Sequence, residues 1–489
     1  MLERKAAMDK RTVLWDMSFA DSVKSVCVKM HKPIRKNSVL ECNAPWEGEH
    51  CGYGQVMYDG EKFRLYYRGA GANDGPWKLE NGSHSVLCVA YSKDGKHFEK
   101  PDLGIYEYKG SKRNNIVFML GEKVYFDNFA IFIDTNPNCP KDAKYKAVSS
   151  YRVQKEPGIY SLKVFKSADG LRFEEAGRIL DGKGAFDSMN IAFWDERINK
   201  YCLYMRDYHS LDPEHKIEYE RETHVRDIRV TYSDDFVNWT EPEFLDYGED
   251  KTEFQLYTNG MMKYYRADMY VGISTRYIDR SLDSINYKYL PDLHGYREIM
   301  KARADRGAIA MTDALIMTTK DGIHFNRVPE AFFTPGIENG ENWVYGDCYI
   351  VHGMVQTESD FYGEPDEISL YTGKGYRSRP VSFERYTLRL DGFFSWRADY
   401  EDGEVITKPI TVEGDKLSVN FSTSALGYLR IELLDMDGIA LYGYDSTRLF
   451  GDSIDRPIDF EKPLSDLVEK TVRMKITMKD ADFYSFCFE

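Results

Sequence analysis

Four stretches share one phrase: YSKDGKHFEKP at Tyr91–Pro101, KSADGLRFEEA at Lys166–Ala176, YSDDFVNWTEP at Tyr232–Pro242 and TTKDGIHFNRV at Thr318–Val328. The common form is Ser/Thr-x-Asp-Gly-x-x-Phe/Trp. Aligned on Asp94, Asp169, Asp234 and Asp321, the copies are 75, 65 and 87 residues apart. Asp-Gly favours a tight hairpin turn with positive φ. The Ser or Thr hydroxyl can bond the turn backbone, and the aromatic tucks the returning strand onto its neighbour. These four aspartates are therefore structural.

Working outward, each phrase is preceded by a strand: VLCVAYS, SLKVFKS, IRVTYS and ALIMTT. Two more strands lie further upstream in each unit, for example GQVMYDG and FRLYYRG in the first, and NIAFWDE and YCLYMRDY in the third. A fifth unit begins at NWVYGDCYIVHGMVQT and runs to Tyr386–Leu390, without the turn phrase. Repeated strand meanders of this length predict an all-β five-bladed β-propeller over residues 1–390. After Asp391 the phrase stops. Shorter alternating strands follow, such as VRMKITM, in which Val472, Met474, Ile476 and Met478 face one way. That pattern predicts a C-terminal β-sandwich over 391–489. Helical patterning is scarce, and the charged stretches Leu211–Asp227 and Asp279–Arg306 read as loops or lid-like excursions.

Composition agrees with a β protein. Of 489 residues, 14% are aromatic, including 36 Tyr, and aromatics favour strands. The net charge of −15 opposes binding to phosphate backbones, so no nucleic-acid partner is expected. No apolar run long enough for a signal peptide or a membrane span is present, and no basic amphipathic stretch suits a membrane surface. The chain is expected to be cytoplasmic, and its eight Cys, scattered without a CxxC pair, fit a reduced compartment. Oligomerisation is left open. There is no Walker loop, no GxSxG elbow and no metal-ligand His spacing, so neither cofactor nor metal is expected.

A propeller gathers the starts of its innermost strands around a central funnel, which makes the unit openings the place to look for chemistry. Trp46-Glu47 opens the first unit, Phe126-Asp127-Asn128 the second, and Phe186-Asp187-Ser188-Met189-Asn190 the third. Tyr257-Thr258-Asn259 opens the fourth, and Trp343-Val344-Tyr345-Gly346-Asp347 the fifth. Four openings carry a carboxylate. Two facing carboxylates suit glycosidic cleavage: one protonates the leaving oxygen and the other attacks carbon or activates water. The catalytic candidates are Glu47 and Asp187 as the first pair, with Asp347 and Asp127 as further candidates. Substrate-binding candidates are Trp46, Asn190, Arg206, Asp207, Asn259, Arg276, Trp343 and Tyr345: aromatics to stack on sugar rings, arginines and amides to hold hydroxyls or an anionic group.

These openings and turn phrases resemble the five-bladed propeller glycosidases of glycoside hydrolase families 32, 43 and 68, as a divergent branch. Family-32 members also carry a C-terminal β-sandwich. The resemblance implies that Trp46-Glu47 sits where the family has its first-blade carboxylate, normally an Asp. Met205-Arg206-Asp207-Tyr208 looks like the family's Arg-Asp-Pro motif, but lacks the Pro and falls in the third unit. The family's Glu-Cys acid motif has no counterpart. The resemblance implies a glycoside hydrolase acting on an oligosaccharide, a furanoside or a plant or fructan-type chain in the family's manner. A glycoside phosphorylase on the same fold and a non-catalytic carbohydrate-binding protein are the alternatives.

Overall fold

The computed structural model describes residues 11–70, 85–119, 128–154, 159–211, 224–295, 297–298, 310–376 and 380–489. Antiparallel meanders follow one another along the chain: the first and last share one eight-stranded sheet, the second and third have four strands each, and the fourth has five. The first comprises Gly52–Tyr58, Phe63–Ala70, Ser85–Ser92 and Ile116–Met119. The second comprises Phe129–Ile133, Tyr145–Gln154, Ile159–Ser167 and Glu174–Ile179. The third comprises Ile191–Asp195, Lys200–Ser210, His224–Ser233 and Glu243–Phe244. In the fourth, the short strands Gln255–Thr258 and Met261–Tyr264 both pair with Met269–Asp279, followed by Ala310–Thr319 and Asn326–Arg327. The fifth takes Ile350–Thr357, Glu367–Lys374 and Val381–Arg389 from late in the sequence, and its outer strand, Ile34–Cys42, from the beginning.

The innermost strands close a ring, joined step by step through buried polar groups. Gln55 of the first meander donates to the Phe129 carbonyl at 2.6 Å. Asn128, ahead of the second, donates to the Ser188 carbonyl. Ser188 donates to the Tyr257 carbonyl at 2.8 Å. His352 of the fifth donates from Nε2 to the Met261 carbonyl of the fourth at 2.8 Å, and its backbone pairs in parallel with Gln55 of the first. A backbone group at the centre of such a ring has no water to bond, so these side chains supply what a continuous ladder would have supplied. With its meanders closed into a ring, the fold is that of a β-propeller.

Five apolar clusters alternate with the meanders and fill the space between neighbours. The central strands are thus buried on both faces, which is why Leu65, Tyr66 and Tyr67 are all fully buried although alternate residues point opposite ways. A second device fixes meander to meander. Tyr66 of the first donates to the Gly170 carbonyl in the second meander's turn at 2.9 Å. Tyr204 of the third does the same to Gly322 of the fourth at 2.8 Å, and Tyr371 of the fifth to Gly95 of the first at 2.5 Å.

The turn phrase does what its residue types predict. The Ser92 hydroxyl accepts from the Gly95 amide at 2.9 Å, and Asp94 Oδ1 accepts from the Lys96 and His97 amides. Gly95, Gly170 and Gly322 have φ of 73°, 72° and 85°. The third copy needs a correction. Asp235, not Asp234, accepts from the Val237 and Asn238 amides. Asp234 instead meets Lys200 at the surface. Phe236, at φ 67°, stands where the others have glycine. Its ring is buried against Tyr201, Trp239 and Phe132, and that aromatic contact offsets the left-handed backbone.

Seven C-terminal strands, with three from the N-terminal segment, form one ten-stranded hydrogen-bonded sheet around a single apolar core, crossed by two long strands, Leu417–Leu434 and Thr471–Phe488. The expected boundary at 390 changes at the other end of the chain. Thr12–Val13, Ala20–Lys24 and Cys27–Met30 pair with C-terminal strands, not with the ring. A 12–30 segment of mixed polar strands gives no repeat to read, so only the pairing reveals where it belongs. Within the Asp279–Arg306 excursion, Ser281–Tyr289 and Leu293–Gly295 are 3-10 helices. Residues 212–223 of the other excursion lie outside the described residues. Among the described residues no helix is long and apolar enough to cross a membrane.

Candidate active site at the ring openings

The acids at the first and fifth openings have the same local role. In Ala44-Pro45-Trp46-Glu47, the Glu47 carboxylate accepts from the Ala44 amide at 2.8 Å, while the Glu47 amide donates to the Ala44 carbonyl at 3.0 Å. In Val344-Tyr345-Gly346-Asp347, the Asp347 carboxylate accepts from the Val344 amide at 2.9 Å, and its own amide donates to the Val344 carbonyl at 3.4 Å. Each side chain closes the turn that begins three residues before it.

Glu47 is fully buried. It also accepts from the Tyr67 hydroxyl at 2.5 Å and from Lys100 at 2.7 Å. With three partners and no exposed surface, it offers no face to a substrate. Glu47 is expected from the sequence to face Asp187 as one of a catalytic pair; the structure encloses it within its own turn. Asp347 is buried too. Burial pushes its carboxyl up to about 7, against the opposing pull of the Val344 and Trp343 amides and the Arg297 charge. Its place in the turn makes it a structural acid rather than a group open to the funnel.

Asp187 differs. Its neighbours Phe186 and Ser188 are fully buried, and the Ser188 hydroxyl is tied to Tyr257. The intervening side chain is thereby turned outward, 44% exposed, and forms an ion pair with Arg206. Arg206 comes from the strand Lys200–Ser210 and is itself buried. It donates to the Ala185 carbonyl at 3.2 Å and the Tyr208 hydroxyl at 2.8 Å. Burial works against the Arg206 charge. Asp187 and the surrounding tyrosines work for it, and the balance lies above the ordinary guanidinium value. Asp187, Arg206, Asp207 and Tyr208 line a cleft of about 670 Å³ together with Tyr160 and Lys183. The other charges of the cleft wall are paired: Asp207 with Arg229 at 2.9 Å, and Lys183 with Glu241 at 2.9 Å.

The remaining candidates divide between wall and scaffold. Trp46 packs on Tyr108 and donates from its indole to Asn115 at 2.8 Å. Asn190 is fully buried and bonds the Phe186 and Ser188 carbonyls. Arg276 holds Asp313 with two bonds, of 2.9 and 2.6 Å. The polar groups of these three are already bonded within the protein. Asn259 is buried, its carbonyl oxygen accepting from the Met261 amide at 2.9 Å. Tyr345 is buried in a cluster with Tyr257, Tyr277, Tyr349 and Tyr376. Trp343 lines a second cavity, of about 390 Å³, with Tyr287, Tyr289, Asp313 and Glu338. Asp127 lies outside the described residues.

Arg226 and Tyr349 are not among the candidates read from the sequence, and Tyr257 is only part of the fourth opening. Arg226 pairs across the strands with Tyr208, and its guanidinium lies 5.3 Å from the centre of the Tyr257 ring. The alternation of His224-Val225-Arg226-Asp227-Ile228 was the available signal, since it puts Arg226 on the same face as the buried Ile228.

No family model matches this chain, and no curated protein matches it. The chain is similar to several solved structures at low identity. An N-acetylgalactosamine deacetylase from F. plautii, in complex with blood group B trisaccharide, is 11% identical, with 74% of this chain and 96% of that chain covered and a TM-score of 0.45. A fructofuranosidase from Schwanniomyces occidentalis, in complex with fructosylnystose, is 11% identical over 96% of this chain and 99% of that chain, with a TM-score of 0.38. The catalytic domain of a GH62 alpha-L-arabinofuranosidase from Coprinopsis cinerea is 10% identical over 73% and 97%, with a TM-score of 0.40.

Proposed function

We propose that this chain is a glycoside hydrolase whose catalytic centre lies in the Asp187 cleft and whose substrate is an oligosaccharide. The observation that carries this reading is the state of Asp187. Among the described opening acids it alone is partly exposed, in a cleft, and anchored by a buried guanidinium. A carboxylate held by Arg206 suits the base or nucleophile role, the one that approaches the anomeric carbon or its water. Asp127 occupies the matching place in the sequence, Phe126-Asp127-Asn128 against Phe186-Asp187-Ser188, and is the proposed partner acid. The phenol-rich wall of Tyr160 and Tyr208 suits stacking on sugar faces.

The proposed division of labour is a catalytic ring and an accessory C-terminal β-sandwich joined by the N-terminal strands. The test is a screen of aryl-glycosides with the wild-type chain and with Asp187→Asn. Loss of turnover in a folded variant supports the reading, and near-normal turnover excludes Asp187.

A further inference from the structure

The charged groups of the cleft wall are paired, but a charge beside it is not. Arg206, Arg229 and Lys183 each have a carboxylate. Arg226 has none among the described residues, although it is only 4% exposed. Its hydrogen bonds go to the neutral Gln255, from Nη1 at 2.9 Å and from its amide at 3.1 Å. Its Nε is buried without an acceptor. A buried guanidinium without a counter-charge is costly, and the faces of Tyr208, Tyr257 and Tyr277, at 5.6, 5.3 and 5.1 Å, compensate it only in part.

Two other donors around the same rings are also unmet. Arg206 Nη1 is buried without an acceptor, and the Arg206 guanidinium lies 4.7 Å from the Tyr208 ring centre and 5.6 Å from that of Tyr257. The Tyr349 hydroxyl, whose ring stacks on Tyr257 at 5.9 Å, is likewise buried and unbonded. Register sets the two arginines on one face: Tyr208 lies opposite Arg226 and Ile228 opposite Arg206, so they are diagonal neighbours. These three groups are donors, and two of them are cationic; Asp187 Oδ1, which also lacks a hydrogen bond, is ion-paired with Arg206.

We propose that the buried donors grouped around Tyr257, next to the Asp187 cleft that Arg206 lines, form an oxyanion subsite, with Arg226 and Arg206 receiving a carboxylate or phosphate group of the substrate or co-substrate. This rests on the reading of the cleft as a glycosidase site and narrows it to an anionic sugar, or to phosphate acting beside the sugar. A guanidinium pair suits either group because its planar N–H donors match two oxygens at once.

The test is calorimetric titration of the full chain with inorganic phosphate and, separately, with glucuronate, in the wild type and in Arg226→Met. Saturable binding of at least one anion, weakened about tenfold or more in the variant, is the expected result. Binding of glucuronate alone places the charge on the sugar; binding of phosphate alone makes it the co-substrate or an ester. The thermal midpoint is read on the same samples. It should hold or rise in Arg226→Met, because an uncompensated buried charge is removed. Binding of neither anion by the wild type overturns the inference, as does equal binding by the variant. Titration measures no turnover, so its failure leaves Asp187 catalysis standing. Conversely, full turnover by Asp187→Asn would sink the hydrolase reading and leave anion binding untouched.

Discussion

Arg206 holds Asp187 in an ion pair at the wall of the cleft, whereas Glu47, the other expected member of the pair, is sealed beneath Tyr67 and Lys100. The two acids are therefore expected to respond to substitution in opposite ways. Asp187→Asn should lower kcat by about a hundredfold to ten-thousandfold, the span of acid–base contributions, while the protein still melts cooperatively.

Glu47→Gln should act on stability. It leaves the Lys100 ammonium without its counter-charge, 20% exposed at the side chain, and weakens the bond from Tyr67. A loss of about 2–4 kcal/mol in urea unfolding is expected, with kcat of the folded fraction close to wild type. A folded but inactive Glu47→Gln protein would return Glu47 to the catalytic centre.

Asp347 should impose a pH dependence on stability. Its folded carboxyl lies at about 7 because of burial, well above the unfolded value. Between about pH 4 and 7 the folded state binds the extra proton, so this contribution to stability falls as pH rises. Asp347→Asn keeps an oxygen for the Val344 amide and cannot ionise. Its stability relative to wild type should therefore grow across that window, by up to ~1.4 kcal/mol per pH unit. Parallel chemical-denaturation curves at pH 5 and 7, with a constant difference between the two proteins, would contradict this.

Asp391 should be the costliest single site for the union of the ring and the C-terminal sheet. Fully buried, it accepts from Arg266 at 2.9 Å and Tyr264 at 2.7 Å on the ring side, and from Ser485 at 2.7 Å on the sheet side. Burial raises its carboxyl, but Arg266 and these hydroxyls outweigh it and hold it below the ordinary value. Its contribution is thus present above about pH 4 and lost only as pH falls further. Asp391→Ala strands the buried Arg11 and the half-buried Arg266 and should cost about 3–5 kcal/mol at pH 7. A melt unchanged from wild type would show that the two parts do not depend on this joint.

Gly170 carries the clasp between the first and second meanders. Its φ is 72°, and a Cβ there would lie 2.6 Å from the Tyr66 hydroxyl. Gly170→Ala should destabilise the fold by more than Tyr66→Phe, which removes only the hydrogen bond, about 0.5–1.5 kcal/mol. Equal effects would mean that the turn relaxes around the added methyl group.

The all-β class, the hairpin turns and most of the strands were legible in the sequence because they are local. Ser92, Asp94 and Gly95 make their bonds within a few residues, and period and turn chemistry follow from residue type. Phe236 was the exception: its backbone takes a glycine conformation only because distant rings hold it, so the third phrase was read one residue out of register. The site was legible only in part. An acid at a strand opening is visible in the sequence, but its direction is not. Glu47 and Asp347 turn back to satisfy amides three residues away, while Asp187 faces the cleft because Phe186 and Ser188 are drawn inward. Likewise, nothing local distinguishes Arg226 from the paired Arg229. Whether a charge has a partner depends on which strands meet, and that is decided by tertiary packing, which sets both the burial that makes an unpaired charge costly and the neighbours that could relieve it.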